Sequence, residues 1–211
     1  VHYDVLSEAN TPRQFNPHHI GISEFSATIS LKALQKDSLN AQIRRMSFNE
    51  QSGFRLKRFT LKATANPRGI YLHELELNLP ATSLRIDTLA ARGDIASPRF
   101  LSNEETTYIG RLHASVTPAD LSSFVPSLQY FQDSLHIDIN FHGQGQRLQC
   151  TNFYLASPQK ELVVHAEGML DHSAPSRPPY FFGKITQADI SEKAIPWLFH
   201  NLKGNAAALP D

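Results

Sequence analysis

The sequence repeats one pattern of apolar and polar residues that is typical of bent β-strands. Apolar and polar residues alternate, two polar residues then stand together, and the alternation resumes, as in the Phe-Arg-Leu-Lys-Arg-Phe-Thr-Leu of residues 54–61. Alternation with a period of two gives a strand one apolar face. The doubled polar pair shifts this period by one residue, so we predict a bulge or tight kink that returns the later side chains to the same face. The four copies span residues 20–29, 54–61, 70–79 and 148–155.

The charge balance argues against a nucleic-acid partner. Lysine and arginine total 20, and aspartate and glutamate also total 20. Binding to DNA or RNA depends strongly on an excess of positive charge, so we expect none here. The one cysteine, Cys150, cannot form an intramolecular disulfide, and we interpret it as a small buried apolar residue.

Short turns separate the strand patterns and favour one antiparallel domain. The segment Asn66-Pro-Arg-Gly69 lies between two copies of the pattern and has strong turn chemistry. Short turns join antiparallel strands, because parallel strands need long crossovers. We predict an irregular segment over 1–18 and one elongated β-repeat domain over 19–211, with sub-repeats of about 19–106 and 107–202.

Two short helices are predicted. In residues 117–128, Thr117 suits an N-cap, Pro118 the first helical position, and Asp120 a place facing the free amides, whereas Pro126 should break the helix. The Thr-Gln-Ala-Asp-Ile of residues 186–190 parallels the Thr-Pro-Ala-Asp-Leu of residues 117–121, and Ile-Pro-Trp-Leu at 195–198 parallels Val-Pro-Ser-Leu at 125–128. We interpret this as an internal repeat in which strands are closed by a helix.

The sequence contains no convincing catalytic or metal-binding pattern. His136, Asp138 and His142 share the polar face of one predicted strand, but no second cluster accompanies them, so we interpret them as solvent-facing. His165-Ala-Glu167 lacks the Pro-Cys-x-x-Cys partner of a zinc deaminase. No nucleophile elbow or phosphate-binding glycine loop is present. We therefore predict no enzyme activity, no cofactor and no metal.

The strand copies at 54–61 and 70–79, together with the segment 114–170, resemble AsmA-like and TamB-like proteins of diderm bacterial envelopes. Within that segment the resemblance depends on Asp120-Leu121, Pro126, Leu128 and the residues from Leu135 to Gly143. It covers most of residues 19–202 and consists of aliphatic patterns rather than fixed catalytic signatures.

The resemblance implies a location and a function. Such proteins are anchored in the inner membrane by one N-terminal helix, project through the periplasm, and curl their sheets into an open trough with an apolar interior. They are thought to conduct phospholipids towards the outer membrane or to support its assembly with a β-barrel partner. The present sequence has no run of about 18 apolar residues that could be the anchor. Because it begins at Val1 without a signal-like start, we expect a piece of a longer protein, with the anchor and any contact to an outer-membrane β-barrel lying outside it.

We therefore predict a mainly β protein with a curved antiparallel meander sheet, an open groove and two short helices. A β-sandwich is the alternative fold, since it would show the same alternation. A non-catalytic structural or adhesive β-repeat domain of the envelope is the alternative function. For the first function, periplasmic shielding of phospholipid acyl chains, we expect the lipid-binding residues on the concave apolar face to be Leu56, Leu61, Leu72, Leu77, Ile137, Ile139, Cys150 and Leu155.

Overall fold

The strands form a single antiparallel sheet in which the spatial order follows the chain order. A computed structural model describes residues 2–4, 14–35, 38–97, 99–100, 103–173 and 178–202. Eleven strands pair in sequence, and β1 and β11 form the two edges of this open sheet. The strands are β1 (His2–Asp4), β2 (His19–Gln35), β3 (Ser38–Glu50), β4 (Arg55–Asn66), β5 (Gly69–Asn78), β6 (Ser83–Arg92), β7 (Thr107–Val116), β8 (Leu135–Gln144), β9 (Arg147–Ala156), β10 (Leu162–Asp171) and β11 (Tyr180–Ile190).

This arrangement confirms the predicted meander. All strands of the described residues belong to the one sheet, so the alternative of two packed sheets is wrong for this part of the chain. The segment 1–18, predicted to be irregular, contains β1, which pairs with β2, and a bridge between Asn16 and His19.

The predicted bulges are present in all four copies of the strand pattern. In each copy the pairing register breaks at the doubled polar pair. In β4, β5 and β9 the apolar residues on both sides of the break keep apolar partners, whereas Ile22, before the break in β2, pairs with Glu50. The extra residue is Glu24 in β2, with a φ angle of 51°, and Glu74 in β5, with a φ angle of 52°. The breaks lie at Ser23–Ser26 in β2, Leu56–Phe59 in β4, His73–Glu76 in β5 and Cys150–Asn152 in β9.

The left-handed backbone at Glu74 leads to a prediction. A β-branched residue is strained at positive φ, whereas glycine is not. We expect Glu74→Gly to exceed Glu74→Val in free energy of unfolding by about 1–2 kcal/mol, measured by urea denaturation. Both variants lose the exposed ion pair with Lys62, so that loss cancels in the comparison.

The neighbouring His73 supplies a matched control. It is also exposed, and its φ is not positive. There we expect the reverse order, with His73→Val more stable than His73→Gly by roughly 1 kcal/mol, because valine suits a regular strand. The same order at both positions would contradict the assignment of the bulge.

The first predicted helix is two short 3-10 helices, Pro118–Leu121 and Pro126–Tyr130. Thr117 is the N-cap, as predicted, but its side chain makes no capping hydrogen bond. Its hydroxyl donates to the carbonyl of Ala81 (3.2 Å) and lies 2.7 Å from the Ser134 hydroxyl, and Asp120 accepts from the amide of Ala81. These side chains therefore tie the β7–β8 connection to the β5–β6 turn instead of closing the helix.

The second predicted helix begins later than the repeat suggested. Residues 186–190 belong to β11. The prediction that they begin a second helix, made from their likeness to residues 117–121, is therefore wrong. The second half of the parallel holds, because Ile195, Pro196 and Leu198 lie in the helix α1 (Ala194–Leu202). Pairing with β10 along the whole length of β11 explains the difference, since that ladder extends the strand to Ile190.

The buried apolar residues lie near strand ends and in connections. Six are buried among the described residues, and none is in the middle of the sheet. The protein therefore has small cores at the ends of its strands. They contain Leu56, Leu79, Ala90, Phe100, Ala156 and Ala194.

The β9–β10 turn holds a buried carboxylate. Glu161 accepts a hydrogen bond from the Ser157 hydroxyl, and Ser157 is fully buried. The Ser157 hydroxyl, followed by the backbone amides of Glu161 and Gln159, lowers the pKa of Glu161 below its ordinary value of 4.5.

The lowered pKa of Glu161 predicts that its contribution to the free energy of unfolding is lost at acid pH. A carboxyl group with a lowered folded-state pKa stabilises the fold above its unfolded pKa, and this contribution is lost as the pH falls through the folded pKa. The wild type should therefore exceed Glu161→Gln in free energy of unfolding at pH 7, and the difference should shrink below about pH 4.5. Urea denaturation at several pH values measures it; Ser157→Ala should show the same trend, and pH-independent differences would contradict the prediction.

Candidate functional site

All eight predicted lipid-binding residues lie on one face of the sheet, here called the apolar face. Residues that pair directly across an antiparallel ladder share a face, and so do alternate residues along a regular strand. Phe59 of β4 pairs with Leu77, and Leu61 lies two residues further along β4 on the same face. The apolar face is defined by Leu56, Leu61, Leu72, Leu77, Ile137, Ile139, Cys150 and Leu155.

The partners of these residues are also apolar, so the face is continuous across the strands. Each bulge maintains this continuity, because it returns the side chains that follow the doubled polar pair to the apolar face. Representative pairs are Phe48 with Leu56, Leu72 with Leu89, Leu77 with Leu84, Leu112 with Ile139, Ile137 with Leu155 and Phe141 with Cys150.

No second layer covers the middle of this face within the described residues. The substantial contacts between elements join neighbouring strands or the two 3-10 helices to each other, and no helix packs extensively on a strand. Of the eight residues only Leu56 is buried, and the other seven are half-buried. Neighbouring side chains on the face thus shield one another sideways while leaving their outer surface open.

Two titratable groups on this face respond to the apolar surroundings. Burial raises the pKa of the Cys150 thiol, which outweighs the opposing hydrogen bond from Sγ to the carbonyl of Asn152. Burial likewise raises the pKa of Tyr108, which pairs with Ala91 and Gly143 on the same face. A raised thiol pKa keeps Cys150 neutral at pH 7 and argues against a nucleophilic role.

A chain of aromatic rings covers one end of the apolar face. Phe48 on the face lies 6.1 Å from Phe54, which lies 5.2 Å from Phe124 of the β7–β8 connection, and Phe124 lies 5.0 Å from Phe15. The amide of Phe15 also donates to the carbonyl of Ser123 (2.7 Å). This end is therefore closed by the protein's own side chains, unlike the middle.

Sequence reasoning did not identify this aromatic cover. Phe15 lies in the segment 1–18, predicted to be irregular, and Phe124 lies in the predicted helix of residues 117–128. The rings come from segments distant in the chain, and no local pattern links them.

The aromatic cover leads to a prediction for Phe124. Its ring makes two aromatic contacts, and each such pair contributes about 0.5–1.5 kcal/mol. We expect Phe124→Ala to lower the free energy of unfolding by about 1–3 kcal/mol in urea denaturation. The adjacent Val125 is the control, since it is exposed to nearly the same extent as Phe124 (48% against 43%) but carries no aromatic ring, and Val125→Ala should change stability by less than about 0.5 kcal/mol. Equal effects would contradict an aromatic anchor.

The opposite face of the sheet is polar and carries an open hollow of about 700 Å³. Near it, His113 contacts Asp138 through Nδ1 and lies 3.5 Å from Asp87 through Nε2, while Arg85 pairs with Asp87 at 2.7 Å. His136, Asp138 and His142 lie on this face, as predicted. The charges largely pair with one another at partly exposed positions, so this network resembles a solvated strand surface.

Among the described residues, no group of three or more histidine, cysteine, aspartate or glutamate side chains is placed to hold a metal ion. In the same part of the chain, none of the helices combines the length and apolar character needed to cross a bilayer.

Comparison of the chain with profiles of known protein families, with curated proteins and with solved structures gives no match.

Proposed function

We propose that the apolar face binds the acyl chains of lipids and shields them from water. The observation that supports this most is a continuous apolar surface on a single sheet, with no protein layer over its middle within the described residues. A face of this size in contact with water is unfavourable, and large exposed apolar patches mark sites for apolar partners.

The chemistry of the face suits an acyl chain better than a polar ligand. An acyl chain exposed to water costs about 0.8 kcal/mol per methylene group, so sixteen carbons cost roughly 13 kcal/mol. A surface that removes this cost needs aliphatic side chains and no placed polar groups. The eight residues of the apolar face are seven aliphatic side chains and the neutral thiol of Cys150.

The resemblance to AsmA-like and TamB-like proteins extends this proposal to phospholipid transport in the periplasm. Adjacent strands lie about 4.8 Å apart, so a ladder of ten strand spacings gives an apolar track on the order of 48 Å. We propose that the protein contributes such a track to lipid transport or outer-membrane assembly, anchored to the inner membrane through a region outside this sequence. An outer-membrane β-barrel protein would be a partner of other regions.

Leu77→Asp tests the lipid proposal. A carboxylate at position 77, on the apolar face near the end of β5, should remove the contribution of about two methylene groups, which corresponds to roughly tenfold weaker binding. We expect about tenfold less photo-crosslinking to a phospholipid that carries a photoactivatable acyl chain. The domain should lose only about 1 kcal/mol in free energy of unfolding, because Leu77 is half-buried.

The control is Asn78→Asp, which adds the same charge on the polar face next to Leu77. It should leave crosslinking unchanged. Loss of several kcal/mol in Leu77→Asp would instead indicate a closed core. That result, together with no phospholipid in organic extracts of the purified wild type and no crosslinking, would overturn the proposal and favour a structural β-repeat domain.

A further inference from the structure

The outer edge of β11 is long and open. All eleven residues of β11 are exposed, and among the described residues the strand pairs only with β10. The apolar side chains on it are strongly exposed, at 73% for Phe181, 66% for Ile185 and 65% for Ile190. The other edge differs, because β2 is partly paired there with the three-residue strand β1.

The helix α1 follows β11 but leads away from this edge. Trp197 of α1 lies 5.6 Å from Phe131 in the β7–β8 connection, which is on the inner side of β11. The amide of Ser191 also donates to the carbonyl of Glu161 before β10, at 2.8 Å. The turn and the helix therefore lead towards the β7–β8 connection, and within the described residues nothing pairs with the outer edge of β11.

A free strand edge presents unpaired backbone donors and acceptors, so the partner that satisfies it is another strand. Proteins usually protect such edges with proline, several lysines or an outward bulge. β11 has no proline, a single lysine, Lys184, which lies 3.7 Å from Glu167 of β10, and one bulge, at Thr186. The edge is thus weakly protected against strand addition.

We propose that a second copy of this chain pairs with β11 in an antiparallel, two-fold arrangement. Lys184 of each copy then lies opposite Asp189 of the other, and Ile185 lies opposite Ala188. The two-fold axis passes between Thr186 and Gln187. A two-fold contact of this kind closes after two copies, because each edge is used once.

The bulge in β11 makes this register possible. Thr186 is the extra residue, since His165 and Ala166 of β10 pair with Gln187 and Ile185. Asp189 lies five positions after Lys184, and because five is odd a regular strand would place the two side chains on opposite faces. With the bulge both lie on the polar face, where opposite charges across a ladder attract.

The same register continues the apolar face across the axis. Ile185, Ala188 and Ile190 pair with Ala166, Val164 and Leu162, which places them on the apolar side of the sheet. In the dimer these side chains face apolar residues of the second copy. The result is one sheet of twice eleven strands with an uninterrupted apolar face. This inference does not depend on lipid binding.

Charge reversal tests the arrangement by sedimentation velocity over a range of protein concentrations without lipid. We expect the wild type to form dimers, and Lys184→Glu and Asp189→Lys each to dimerise at least about tenfold more weakly, because two attractive pairs become repulsive. An equimolar mixture of these two variants should dimerise again, and so should the chain that carries Lys184→Asp with Asp189→Lys.

Lys160→Glu is the matched control, since Lys160 is an exposed lysine in the β9–β10 turn outside the proposed ladder. It should dimerise like the wild type, and circular dichroism should show that every variant is folded. A wild type that stays monomeric, open-ended larger assemblies, or dimers that neither single reversal weakens would each overturn the proposal.

Discussion

The parity of the strands is the constraint on which the rest of the structure depends. Two adjacent polar residues shift the alternation by one position, so a strand that keeps its apolar side chains on one face needs a bulge there. Each of the four copies of the strand pattern has such a bulge. Without these corrections, half of each strand would turn its leucines and isoleucines to the polar side. The continuity of the apolar face follows from these corrections, and a further bulge, at Thr186, sets the register proposed for the free edge.

A single sheet with one apolar face is an unusual solution for a protein in water, because such a face normally packs on another layer. Here the described residues supply only partial cover, from the aromatic rings of Phe48, Phe54, Phe124 and Phe15 at one end. The ladders and the small cores at the strand ends hold the sheet together. The middle of the face is therefore available to a ligand without any rearrangement of the fold.

Most strands could be predicted because alternation is a local signal that survives in the folded state. The position of Thr117 was also predictable, but the partners of its hydroxyl were not. Ala81 and Ser134 come from other segments and compete with the helix for its hydrogen bonds. The error at residues 186–190 has a similar cause, since a sequence that can begin a helix elsewhere pairs here with β10.

The sequence by itself determined which side chains share a face and where the four strands with a doubled polar pair bulge, because both depend on the period of one strand. It identified eight residues that the structure places together on the apolar face. Only the tertiary structure decided that all strands join one sheet, that no second sheet covers its middle within the described residues, and that one end is closed by aromatic rings. Those features depend on contacts between distant segments, and alternation in a single strand is the same whether its apolar face is covered or open.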